Sequence, residues 1–155
     1  MTLKNILATL FGIAVLGACS ADVNVISASD AKLGTLVGVR DPKGVITPSG
    51  QPGFLVFGPY IALEPGVYRI VAKGALQGTG KTAGMIDAIA QKGERVFGMK
   101  PIYSLTGGPD STLASMVFEV DSAVTDAEFR IQVQGGTTGA FAGYELTKIA
   151  SAGKK

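Results

Sequence analysis

Between Leu33 and Ile149 the chain alternates apolar and polar side chains in short runs. Phe129, Ile131 and Val133 fall on one side of such a run, with Glu128, Arg130, Gln132 and Gln134 on the other. Met116, Phe118 and Val120 oppose Glu119 and Asp121, and Tyr68, Ile70 and Ala72 oppose Arg69 and Lys73. A period of two gives each run one apolar and one polar face, as in antiparallel sheets with one solvated side. The runs predict strands over Leu33–Arg40, Gly53–Phe57, Tyr60–Leu63, Val67–Ala75, Gly84–Gln91, Arg95–Leu105, Leu113–Asp121, Asp126–Gln134 and Ala140–Ile149. Met85, Ile86, Ile89 and Ala90 also fit a helical stripe. Lys92-Gly93-Glu94, a tight link to Arg95, favours a strand over Thr82–Gln91. Asp41-Pro42-Lys43-Gly44, Glu64-Pro65-Gly66 and Gly107-Gly108-Pro109-Asp110 supply turns of fixed and permissive φ. Eight or nine strands at a spacing of roughly ten residues predict a two-sheet sandwich or a barrel.

The first residues break this pattern. A weakly positive start, Met1 to Asn5, precedes the apolar run Ile6 to Leu16, which is shorter than the roughly twenty residues a spanning helix needs. It has the size of a signal-peptide core. The next residues, Leu16-Gly17-Ala18-Cys19, resemble the lipobox of bacterial lipoproteins. The resemblance implies cleavage between Ala18 and Cys19 and acylation of Cys19. The membrane is then a partner through acyl chains, which hold firmly only when two or more are present. Ser20 stands where that family often carries an Asp for inner-membrane retention, so the resemblance implies the outer membrane, facing the periplasm. The expected organisation is a leader over 1–18, a lipidated tether over 19–32, a β-sandwich over 33–150 and a basic tail over 151–155. Within the tether, Val23 to Ile26 has the character of an edge strand.

Composition narrows the chemistry. The 155 residues include no His, no Trp and one Cys, which removes the usual general base, His-paired nucleophiles, disulfides within the chain and Cys-clustered metal sites. A formal charge of +2 is too balanced for a nucleic-acid surface. Ala75-Leu76-Gln77-Gly78-Thr79-Gly80-Lys81-Thr82 fits the relaxed P-loop pattern. With Ala75 at its head and no matching Asp-terminated strand it reads as a glycine-rich loop, and no nucleotide is expected.

The segment Phe57-Gly58-Pro59-Tyr60-Ile61-Ala62-Leu63-Glu64-Pro65-Gly66-Val67-Tyr68-Arg69-Ile70 resembles the entry strand of jelly-roll modules similar to carbohydrate-binding modules. The resemblance covers about residues 54–149 and implies an antiparallel jelly-roll-like sandwich that contacts a glycan. Such sites use aromatic platforms with carboxylate, amide or guanidinium partners for hydroxyl groups. The ligand contacts expected here are Tyr60, Arg69, Asp87, Tyr103, Glu119, Arg130 and Tyr144, with Gln132 and Gln134 on the same kind of face. The plainer reading buries the rings of Tyr60, Tyr68 and Tyr144 with their hydroxyls at the rim. No cofactor is expected. Structural calcium is the one metal worth naming, since it needs only oxygen ligands, with Asp110, Asp121 and Asp126 near strand ends but at no recognisable ligand spacing. Glu119 and Glu128, on strands read as neighbours, are the conceivable acid pair of a glycoside hydrolase. The sequence thus points to a non-catalytic binding or structural envelope lipoprotein, its partner a glycan or another envelope protein.

Overall fold

The computed structural model describes residues 22–151. Eleven strands form within them: β1 Val23–Ser27, β2 Gly38–Arg40, β3 Ile46–Pro48, β4 Gly53–Val56, β5 Pro59–Leu63, β6 Gly66–Gln77, β7 Thr82–Ala90, β8 Arg95–Tyr103, β9 Thr112–Val120, β10 Val124–Val133 and β11 Thr138–Ser151. All pairings are antiparallel. One sheet runs β2-β3-β11-β6-β9, with β1 also paired to β11. The other runs β4-β10-β7-β8, with β5 also paired to β10. The expected all-β jelly-roll-like sandwich is what forms.

The alternation decides what is buried. Ile70, Ile86, Phe129, Ile131 and Phe141 point inward and are fully enclosed. A chain of rings joins the sheets: Tyr68 and Phe97 stack on Phe118 at centroid distances of 5.7 and 5.8 Å, Phe118 meets Phe129 at 6.0 Å, and Phe129 meets Tyr144 at 5.9 Å. Such contacts add specific ring–ring attraction to the area they bury. Where β6 pairs with β11, Gly74 has φ +124°, and a Cβ there would run into the Ala140 carbonyl oxygen.

The edges β8 and β9 lie on the same side of the sandwich and are tied together. Lys100 Nζ donates to the Ser115 carbonyl at 3.0 Å, and Arg95 pairs with Asp121. These links, with Pro101 in β8, blunt an edge that would otherwise present unpaired backbone groups.

Several boundaries differ from the sequence expectation. Val23–Ser27, expected within the tether, forms strand β1 of the six-stranded sheet, paired with Thr147 through Gly143 of β11. The strand expected over Leu33–Arg40 shrinks to Gly38–Arg40, and its first part becomes a loop held by Arg40, which donates to the Ala28 and Leu33 carbonyls. Ile46–Pro48 is an additional strand. Ser151, grouped with the basic tail, closes β11. The leader, Cys19 and residues 152–155 lie outside the described residues.

Candidate functional site

On the outer face of the five-stranded sheet, three cross-strand pairs bring polar and apolar groups together. Glu128, Arg130 and Gln132 of β10 lie opposite Ile89, Asp87 and Met85 of β7. Arg130 donates from Nε to Asp87 Oδ1 at 2.9 Å and from Nη2 to Asp87 Oδ2 at 2.6 Å. This two-point fork fixes the guanidinium plane. Its carbon sits 5.0 Å from the centroid of the Phe54 ring, so the cation is held by an acid and an aromatic face at once. Asp87, expected on an exposed face, is only 9% accessible.

Tyr60 enters from β5. Its hydroxyl donates to Glu128 Oε1 at 3.4 Å, and the residue is 51% exposed. Its φ of +59° puts a bulky side chain in the left-handed region, an uncommon and costly conformation. Gln91 and Lys92, in the turn between β7 and β8, share that conformation at φ +54° and +56°. The Gln91 amide donates to both carboxylate oxygens of Asp126, at 3.1 and 3.0 Å. These are the non-glycine residues with positive φ among the described residues, and they converge on one place. Tyr60, Ile89, Lys92, Asp126, Glu128 and Arg130 line a depression of about 470 Å³.

Electrostatics distinguish the groups. Burial raises the Glu128 carboxyl above its ordinary range, an effect the Arg130 charge opposes. Burial and the neighbouring Glu128 raise the Tyr60 phenol. The bonds to Asp87 raise the Arg130 guanidinium further. The depression therefore offers an exposed ring, two carboxylates and two cations at a water-accessible surface.

The sequence candidates separate. Tyr60, Asp87 and Arg130 come together here. Tyr103 is 63% exposed on the same sheet, but pairs with Thr82 at the other end of β7. Arg69 and Glu119 belong to β6 and β9 of the opposite sheet. Tyr144 is fully buried, its hydroxyl 3.4 Å from the Phe129 carbonyl, and offers no ring to a ligand. The core reading holds for Tyr68, holds for the Tyr144 ring but not for its hydroxyl, which is buried rather than at the rim, and fails for Tyr60. Glu119 and Glu128 lie in different sheets, so the acid pair imagined on neighbouring strands does not form. Asp110 and Asp121 flank opposite ends of β9. Among the described residues no three such side chains gather as a metal site. The P-loop-like segment joins two strands with no helix after it, and its Gly78 amide is taken by the Ser104 hydroxyl at 3.0 Å. Glu128, Asp126, Lys92 and Phe54 were missed as contacts. Glu128 shares the alternation of Arg130 and could have been found that way.

No protein-family model and no curated protein sequence matches this chain. Among solved structures, it is similar to the C-terminal CBM6 of LamC, a marine laminarinase from Zobellia galactanivorans. The TM-score is 0.58 at 20% identity, over 82% of this chain and all of that one. It is also similar to the carbohydrate-binding module CBM6cm-2 of Cellvibrio mixtus lichenase 5A, solved in complex with cellotriose. There the TM-score is 0.53 at 15% identity, over 81% of this chain and 96% of that one. The fold is therefore a jelly-roll sandwich similar to that of CBM6 modules.

Proposed function

We propose that this protein is a lipid-anchored envelope lipoprotein whose sandwich binds a glycan, without catalysis, in the depression around Tyr60. The observation that carries the reading is that Tyr60 and Lys92, both in a costly backbone conformation, line one depression that exposes the Tyr60 ring, while Gln91, in the same conformation, bonds its Asp126 through the backbone N–H. Strain of this kind persists where a surface must be held in a set shape. The ring suits the apolar face of a sugar, and Glu128, Asp126 and Lys92 suit its hydroxyl groups. The likeness to modules that include one bound to cellotriose supports a sugar as ligand. Binding is proposed to need no metal, because Asp87 is held at both oxygens by Arg130, which leaves two carboxylates, Asp126 and Glu128, in the lining. The lipobox at Cys19 supports the anchor.

Calorimetric titration with cell-envelope and β-glucan oligosaccharides tests this. One class should bind, Tyr60→Ala should weaken it at least about tenfold, as expected for a stacking ring at the centre of a contact, and EDTA should change nothing. Failure of every class to bind, or indifference to Tyr60→Ala, would defeat the reading. A second reading, a subunit of an envelope protein assembly, is favoured by the exposed Val96, Met99 and Tyr103 on edge strand β8. Capture of one defined envelope protein, lost on Met99→Lys, would support it.

A further inference from the structure

At the end of the sandwich remote from both described termini lies a second depression, of about 400 Å³. Its floor is the outer face of the six-stranded sheet, where Ala75 of β6 pairs with Ala140 of β11. One wall is the segment between β8 and β9, carrying Leu105 and Pro109. The other is the β2–β3 turn, carrying Lys43 and Val45. Both walls are fixed in advance. The Leu105 amide donates to the Leu76 carbonyl at 2.8 Å, and Gln77 Nε2 donates to Thr106 Oγ1 at 2.8 Å. In the turn, the Lys43 amide donates to Asp41 Oδ1 at 2.7 Å, and Gly44 adopts φ +82°. A preformed apolar cavity of this size is the usual form of a small-molecule site.

Its chemistry differs from that of the Tyr60 depression. No aromatic ring and no carboxylate lines it, and its one side-chain amide already bonds Thr106. Lys43 is the one charged residue in the lining. Among the described residues it has no carboxylate partner within 4.0 Å. The floor is made of alanines, where a larger side chain would fill the space.

We propose that this groove binds a free, single-chain aliphatic carboxylate, with hydrocarbon along Ala75 and Ala140 and the carboxylate at the Lys43 amine. The inference does not depend on the glycan reading. On the proposed anchor at Cys19, a free molecule fits better than a bilayer lipid, because the chain enters β1 opposite Thr147, at the other end of β11 from the groove. At about 3.3 Å per residue, Thr147 lies roughly 20 Å along β11 from Ala140.

The test is a titration of the full chain, methyl-labelled at Ala, Val and Leu, with decanoate, with decanol and with phosphatidylglycerol vesicles. Decanoate should give saturable shifts at the methyls of Val45, Ala75, Leu105 and Ala140, and the vesicles should leave them unmoved. Lys43→Gln, a change at an exposed turn position, should weaken decanoate about two- to fivefold and leave decanol unchanged. Absence of saturable shifts at these four residues would overturn the site. Equal weakening of both ligands would overturn the role given to Lys43, and shifts with vesicles alone would overturn the free ligand.

Discussion

Asp87 and Arg130 face each other across β7 and β10, and each depends on the other in a different way. The carboxylate is nearly enclosed, whereas the guanidinium can still reach water. Removing the acid frees a cation that water can solvate, but removing the cation strands a buried anion. Arg130→Ala should therefore cost about 2–3 kcal/mol in chemical denaturation, close to the value of hydrogen bonds to a charged group. Asp87→Asn, which keeps the shape and part of the bonding, should cost less. Glu128 acts in the opposite sense. Its folded carboxyl titrates above the ordinary value of 4.5, so the folded state holds the proton more tightly than the unfolded chain. The contribution of this residue to stability falls as pH rises from the unfolded to the folded value. Glu128→Gln should remove that decline, so the variant should gain on the native protein in thermal melts as pH rises from about 4 to 7. A gain in the other direction would contradict the burial-driven assignment.

At the scale of elements, the sandwich is held by rings supplied in turn by β6, β9, β8, β10 and β11. Phe118 is central, touching Tyr68, Phe97 and Phe129. Phe118→Ala should lower stability by about 3–5 kcal/mol, read from denaturant midpoints. Phe97, only half-buried, should cost less on the same change. The long strands were legible because their alternation is uninterrupted: β9 and β10 were expected within two residues of where they lie, and their inward residues are the core. β3 was not legible, since a three-residue strand with one buried side chain, Ile46, has no period to detect. The loop before β2 was misread as strand because its apolar run is held by Arg40 rather than by a ladder. For the candidate site, Asp87 and Arg130 were visible as outward polar residues, but their pairing depends on the β7–β10 register. The exposure of Tyr60 was not visible either. Its left-handed φ is set by tertiary packing, and propensity would have argued against it.

At the scale of the molecule, the proposed anchor and the proposed site can be related. If Cys19 carries acyl chains, the four residues from it to Val23 reach at most about 14 Å, a much shorter tether than 19–32. The terminal end of the sandwich would then sit close to the bilayer, with the Lys43 groove facing away. Cys19→Ser should abolish incorporation of an alkyne-labelled fatty acid and move the protein from the membrane to the soluble fraction. Retention of label would show another attachment point. The central claim is that the outer face of the five-stranded sheet, around Tyr60, receives a glycan. Amide shift mapping during titration with the oligosaccharide found to bind tests it most directly. The account predicts saturable shifts confined to Tyr60, Asp87, Lys92, Asp126, Glu128, Arg130 and their neighbours, with the amides of Arg69 and Glu119 unmoved. Saturable shifts on β6 and β9 with the Tyr60 face silent would contradict it.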